Sequence, residues 1–448
     1  MNETITYKGY WWTPDNPEDK VAGVVTCIPH ERIGLELIGS FKSGSQDPFE
    51  AVLDDAVEQV IYGEESGAKE ITLINCRKSG SCNFDCSFPI IRYSASILIH
   101  DKHVASLDQK CNYTAVVRFP ELSYWCIPSA IETRYQTVNG RIEEISLSYK
   151  CAVEPKDTIV SVTLDDGTVL SINQGVNYSS GDLCLRPELK QYSYLEITNP
   201  EGLSINEISH LVHRFEMFLS MATFRSVNHN ELYLKDPDIC QELQNGKKVL
   251  FPIHLYSSYS VEENSSEINM TRFLFSYKTI SDEFPELIRK WMSNTGNMQP
   301  IMSHLVDSIA YKRVFSSVDF LVVIQAIEGF WWRFKDDEYK RWNGIGKKRQ
   351  TPLETILKEL LKEFDDVPAV HKLDLGVSSA VDSRHVYSHL LEKGAKPDAL
   401  DGADLLFLTR KLRVLLICCI LSHYGLSHNK LTTIFDNCHN DCVTYLGS

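Results

Sequence analysis

Along roughly the first 200 residues, short apolar and β-branched runs alternate with polar breaks. The runs at 21–26, 70–74, 94–99, 113–119, 158–164 and 194–197 are bounded by Gly, Asn, Asp or Pro, the pattern of strands separated by turns. Asp165-Asp166-Gly167 suits a hairpin turn. Many short strands at this spacing predict a sandwich or an irregular barrel. The period changes at 205–222, where Ile208, Leu211, Val212, Phe215 and Leu219 fall at helical spacing. Strand-like pieces return at 249–255 and 271–277.

From Asp282 onward the period is helical, with helices expected at about 282–294, 299–312, 316–336, 351–364, 377–393 and 401–424. Thr351-Pro352, followed by Glu354, marks a helix start with Thr351 as the cap. The expected fold is α+β multidomain, a β-rich N-terminal domain over 1–281 followed by an all-α helical bundle over 282–448. A length of 448 residues agrees with more than one core.

Charge refines this division. The net charge of −15 argues against a general nucleic-acid coat protein. From Gln299 to the end there are 19 Lys+Arg and 19 Asp+Glu, so the earlier part, with 26 and 41, carries the whole acidic excess. Chemistry on a phosphate backbone is therefore expected in the C-terminal part. Met1 leads into polar residues, and the apolar stretch 414–421 is about half the length that spans a bilayer, so a cytoplasmic protein without a membrane partner is expected. The 13 cysteines are irregularly spaced and read as small buried hydrophobes, Cys418 and Cys419 foremost. Neither Cys76, Cys82 and Cys86 nor Cys438-His439 with Cys442 has a standard zinc spacing, so neither metal nor cofactor is expected.

The candidate chemistry lies in Arg384-His385-Val386-Tyr387-Ser388-His389. Cutting RNA without a metal needs a group that moves the 2′-hydroxyl proton and a charge that stabilises the phosphorus centre. Histidine titrates near neutrality, and arginine presents a permanently charged fork to phosphate oxygens. Arg384 and His389 lie about 140° apart around an ideal helix, whereas His385 and His389 share a face. Arg384 must therefore curl around the helix to reach their cleft. Both motif ends should line a cleft, so losing either should cost little stability, within about 0.5 kcal/mol. Trp331-Trp332 offers a base-stacking face or core packing, and Lys340, Arg341, Lys347, Lys348 and Arg349 an electrostatic path for RNA or a solvated loop.

The segment Val381 to His389 resembles the Arg-polar-x3-His signature of HEPN ribonucleases, with His385 where the family usually has Asn. Gln325-Ala326-Ile327-Glu328-Gly329-Phe330 resembles the family's helix that packs against the motif, with Glu328 placed to orient Arg384 or His389. At the other end, Tyr7-Lys8-Gly9-Tyr10-Trp11-Trp12-Thr13-Pro14-Asp15-Asn16-Pro17, then Gly23 and Leu35-Glu36-Leu37-Ile38-Gly39, resemble the N-terminal domain of ApeA-type abortive-infection proteins. The resemblance implies a bacterial anti-phage effector: a β-rich domain sensing a phage component, and a HEPN homodimer cutting RNA without metal. It implies Arg384 at the phosphate, His389 as the acid/base or phosphate-stabilising group, and His385 as auxiliary. Two alternatives stand beside it. One is a non-catalytic HEPN module for dimerisation or RNA binding on a protein-binding β domain; the other is a glycan-acting β-domain enzyme using Asp165 and Asp166.

Overall fold

The computed structural model describes residues 4–29, 31–41, 57–65, 67–79, 90–126, 131–138, 141–149, 158–179, 188–243, 246, 248–258, 267–293, 296–310, 317–346, 350–392 and 394–440. The chain forms two compact units that interleave along the sequence. One comprises Met1–Arg118, Leu195–His210 and Asn228–Glu263, the other Phe119–Tyr194, Leu211–Val227 and Asn264–Ser448.

In the first unit, β1 (Ile5–Trp12), β2 (Val21–Ile28), β3 (Arg32–Ile38), β4 (Val57–Glu65), β5 (Lys69–Lys78) and β6 (Ile90–Ala95) are all antiparallel to their neighbours. Their pairings run β1-β2-β3-β6-β5-β4 and return to β1, which closes a six-stranded barrel. Closure leaves those strands with no open edge to pair with foreign backbone. Alternation fills the interior: Val21, Val25 and Cys27 from β2 and Ile33, Leu35 and Leu37 from β3 are buried together with Trp11, Ile61 and Leu73. A Cβ at Gly63 would lie 2.3 Å from the Trp11 ring, so glycine makes room for the indole. Strand β5 also carries the sheet on beyond the barrel. Its residues 71–74 pair with β7 (Ile97–His100), which continues through Lys248–Ser257 and Glu231–Glu242 to β8 (Thr114–Arg118).

The second unit holds the expected hairpin, Thr158–Thr163 with Val169–Ser179, turned at Gly167 (φ +83°). Asp166 accepts the Thr168 N–H at 2.9 Å, which marks it as a turn residue. A separate two-stranded sheet pairs Ile131–Val138 with Arg141–Tyr149. The helices are α1 (Pro120–Trp125), α2 (Ile205–Thr223, in this unit from Leu211), α3 (Tyr277–Ile280) and α4 (Phe284–Ser293). An aromatic cluster joins them: Trp125 and Trp291 each pack on Phe218 with ring centroids 5.6 and 5.5 Å away. After them come α5 (Gln299–Ala310), α6 (Ser317–Phe334), α7 (Asp336–Trp342), α8 (Leu353–Glu363), α9 (Pro368–His371), α10 (Val377–His389), α11 (Gly402–His423) and α12 (His428–Asn437).

Helix α11 is the axis of this bundle. Every residue from Leu412 to Leu421 is buried, and both α5 and α6 pack on it. Its one charge there, Arg413, meets Asp319 at 2.9 Å and donates to Ser308 at 3.1 Å. Burial pushes the Asp319 carboxyl up, and Arg413 pulls it back only in part. None of the described helices is long and apolar enough to cross a membrane.

Three expectations change. The apolar run 271–277 is not a strand: Met270–Arg272 is a 3₁₀ turn, and the Leu274 and Phe275 N–H groups both donate to the Ala222 carbonyl at the end of α2. Thr351 is not a cap, because Pro352 holds that position and the Thr351 hydroxyl donates to Asp336 instead. Helix α10 stops at His389, four residues early, with Leu390 left-handed at φ 50°. Cys76 and Cys438 are buried thiols; Cys82, Cys86, Cys442, Lys347, Lys348 and Arg349 lie outside the described residues.

Candidate active site

Helix α6 explains why a carboxylate is buried here. Phe320, Val323, Ile324, Ile327, Phe330 and Trp331 form its apolar stripe, and Glu328 falls one turn from both Ile324 and Trp331. Glu328 is therefore 5% exposed. Burial raises its pKa above the ordinary carboxylate range, and Arg384 lowers it only partly.

Helix α10 brings the arginine. It packs on α8 and α6, and its fully buried residues are the small Ala380 and Ser383. Its rotation is fixed from the other side. The Ser383 hydroxyl accepts the Leu400 N–H at 2.9 Å, Asp382 accepts the Asp398 N–H at 3.2 Å, and the Tyr387 hydroxyl donates to the Leu400 carbonyl at 2.9 Å. With that side anchored, the Arg384 guanidinium turns to Glu328, with Nε and Nη2 at 3.3–3.4 Å from the carboxylate. These distances exceed the usual 2.7–2.9 Å of a charge-assisted bond, about 3 Å or less. The contact leaves Nη1 uncommitted to Glu328, and the arginine side chain stays 32% exposed.

Arg384, Glu328 and His385 line one cavity of about 300 Å³, with Trp332, Gln350 and Pro352 around it. His389 is not among the lining residues. It stands one turn further on, its ring centroid 4.8 Å from that of His385 at 59°. The face shared by residues four apart is thus occupied by two adjacent imidazoles, while the cavity itself takes Arg384 together with Val381 and His385 from this helix.

The wall opposite α10 is held by Asp336. Its carboxylate accepts from Thr351 at 2.5 Å and from the Trp331 indole at 3.3 Å, and it pairs with Lys340 at 2.5 Å. Burial opposes that charge, yet the bonds from Lys340, Thr351 and Trp331 outweigh it and hold the carboxyl below its ordinary value. The network pins residue 351 beside the cavity and occupies Lys340, which leaves that lysine out of any RNA path.

A family model for ApeA N-terminal domain 1 matches residues 6–291, well over half of the chain. The chain belongs to the ApeA family. The Apea-like HEPN model matches residues 321–430, a span that contains Glu328, Arg384, His385 and His389. No curated protein and no solved structure matches the chain. In this ApeA-family chain the sequence had singled out Arg384, His385 and His389 by their pattern and Glu328 by resemblance. It missed Gln350, which comes from a loop without periodicity. It also left Trp331 and Trp332 undivided: Trp331 is core at 3% exposure, while Trp332, 39% exposed, faces the cavity. Among the described residues no group of three or more His, Cys, Asp or Glu side chains is arranged to hold a metal.

Proposed function

We propose that this protein is a metal-independent endoribonuclease of anti-phage defence. Residues 282–448 would cut RNA, and the β-rich residues 1–281 would restrain them until a phage component binds. The observation that carries this reading is the convergence of Arg384, Glu328 and His385 on one cavity, with His389 beside it, inside the span matched by the HEPN model. The HEPN family is usually a ribonuclease, and its members typically dimerise.

In this reading the Arg384 Nη1 edge binds the scissile phosphate, and Glu328 fixes the guanidinium's orientation. The 2′-oxygen attacks phosphorus, its proton passing to an imidazole, and the 5′-oxygen leaves with a proton from the enzyme. The products are a 2′,3′-cyclic phosphate and a 5′-hydroxyl. His389 serves as the acid/base group and His385 as its auxiliary. A two-fold pairing of α10 with a second copy would bring two arginines and two histidine pairs together.

The test is cleavage of end-labelled RNA by purified full-length protein, triggered or freed of restraint, against Arg384→Ala and His389→Ala. Wild type cuts, and both variants lose cutting while remaining folded at the assay temperature, His389→Ala with a near-native melting profile. Full cleavage by either variant refutes the assignment. One observation favours the alternative of a non-catalytic module: Arg384 already has an anionic partner, which leaves less of its charge for a phosphorus centre. Intact RNA together with measurable binding would establish that alternative.

A further inference from the structure

Three features of the cavity have no part in holding a phosphate. Trp332 turns an aromatic surface to it while its neighbour Trp331 is sealed in the core with its indole N–H on Asp336. Gln350 lines it too, a residue whose side-chain amide carries a donor and an acceptor side by side. Pro352 and Leu353 add apolar wall. The volume of about 300 Å³ lies at the lower end of small-molecule sites, which run from roughly 300 to 1,000 Å³, and suits a single nucleotide unit.

Charge points the same way. Glu328, buried at 3.3–3.4 Å from the guanidinium, offsets much of the field of Arg384. A ligand held here by charge alone would bind weakly. An aromatic face and an amide edge beside a half-neutralised cation suit a phosphate that carries a flat heterocycle.

We propose that the cavity holds one nucleobase of the RNA strand, the base next to the phosphate bound by Arg384, stacked on Trp332 and read at its edge by Gln350. This deepens the ribonuclease reading and rests on it for the placement of the phosphate. Stacking tolerates any base, so Trp332 supplies affinity, while the amide, which must match donors and acceptors, supplies preference. The cut is then biased toward one base at that position.

The test is calorimetric titration of the full-length protein with the four nucleoside 3′-monophosphates and with ribose 5-phosphate, which carries the anion without a base. All four nucleotides should bind more tightly than ribose phosphate, one of them best. Trp332→Ala should weaken all four by roughly 5- to 150-fold, the span of base–aromatic stacking. Trp332→Phe keeps a flat face and should retain most of the affinity, which guards against misfolding as the cause. Gln350→Ala should level the differences among the four. Ribose phosphate binding as tightly as the nucleotides, or unchanged binding by Trp332→Ala, overturns the proposal. Sequencing RNA ends from the same proteins separates the two readings. Trp332→Ala cutting at the wild-type rate and sites refutes the base pocket and leaves the ribonuclease. Base-dependent binding by a wild-type protein that cuts no RNA refutes the ribonuclease and leaves the pocket.

Discussion

Removing Arg384 should cost stability in a pH-dependent way, beyond the small cost expected of a cleft residue. The Arg384→Ala substitution strips a buried carboxylate of its cationic partner: the Glu328 side chain is 7% exposed and faces the guanidinium at 3.3 Å. Burial already raises the Glu328 pKa in the native protein, and the arginine is what lowers it. Without Arg384 the folded-state value rises further above the unfolded one. A raised carboxyl contributes stability at low pH that is lost as pH climbs from the unfolded value through the folded one, so the penalty should be larger at pH 8 than at pH 5 and fade in acid. An unsatisfied buried acceptor costs about 1–3 kcal/mol, which corresponds to a melting temperature lower by about 2–12 °C for a unit of this size. The assay is thermal unfolding followed by circular dichroism at pH 5 and pH 8. The Arg384→Ala, Glu328→Gln double variant should recover most of the loss at pH 8, since the neutral amide needs no counter-charge. Equal losses at both pH values, or no recovery by the double variant, would falsify the argument.

Four further outcomes follow from the same geometry. Cleavage should persist in EDTA, because the charge at the phosphate comes from Arg384; loss restored by Mg²⁺ or Zn²⁺ on RNA shown to stay folded would contradict it. Arg413→Met should destabilise the helical bundle by about 3–5 kcal/mol, since Asp319 is left buried without its partner, and Asp319→Asn in the same chain should restore part of the melting temperature. Thr351→Val removes a 2.5 Å bond to Asp336 and should cost about 1 kcal/mol while raising KM more than it lowers kcat, as the wall beside the cavity loosens. Mixing Arg384→Ala with His389→Ala protomers should regain partial cleavage if two copies share the site, and no regain together with full activity at high dilution would show each copy to be self-sufficient.

The longer helices were legible because apolar positions repeat at helical spacing, as in α5 and α6, or run on almost without break, as in α11. Short elements gave no such signal, and α7, α9 and α12 went unread. Of the barrel, β2 and β5 were legible as strands, while its closure was not, since it depends on β1 pairing with β4 and β3 with β6, residues 50 or more positions apart in sequence. The run 271–277 misled because Phe273, Leu274 and Phe275 are all buried without being a strand, their backbone answering the end of a helix. At the site, the spacing of Arg384, His385 and His389 predicted which side chains share a face. Glu328 was readable only by resemblance, as burial of one glutamate on an apolar stripe leaves no mark in the pattern. The difference between Trp331 and Trp332 is a rotation of 100° on one helix, which an adjacent pair of identical residues cannot reveal.

Helix α11 sets a condition on how the protein is made. Its partners α5 and α6 precede it in the chain, and about 90 residues separate the end of α6 from the end of α11. At ordinary rates of synthesis, the apolar faces of α5 and α6, and Asp319 without Arg413, wait on the order of 5–20 s for the helix that covers them. A chain broken off before Gly402 has Arg384 and Glu328 but no bundle to hold them in register. Under the proposed ribonuclease reading, frameshifts and abandoned translation products should therefore be harmless, and a cell carrying this gene would meet the activity only through chains synthesised past that helix.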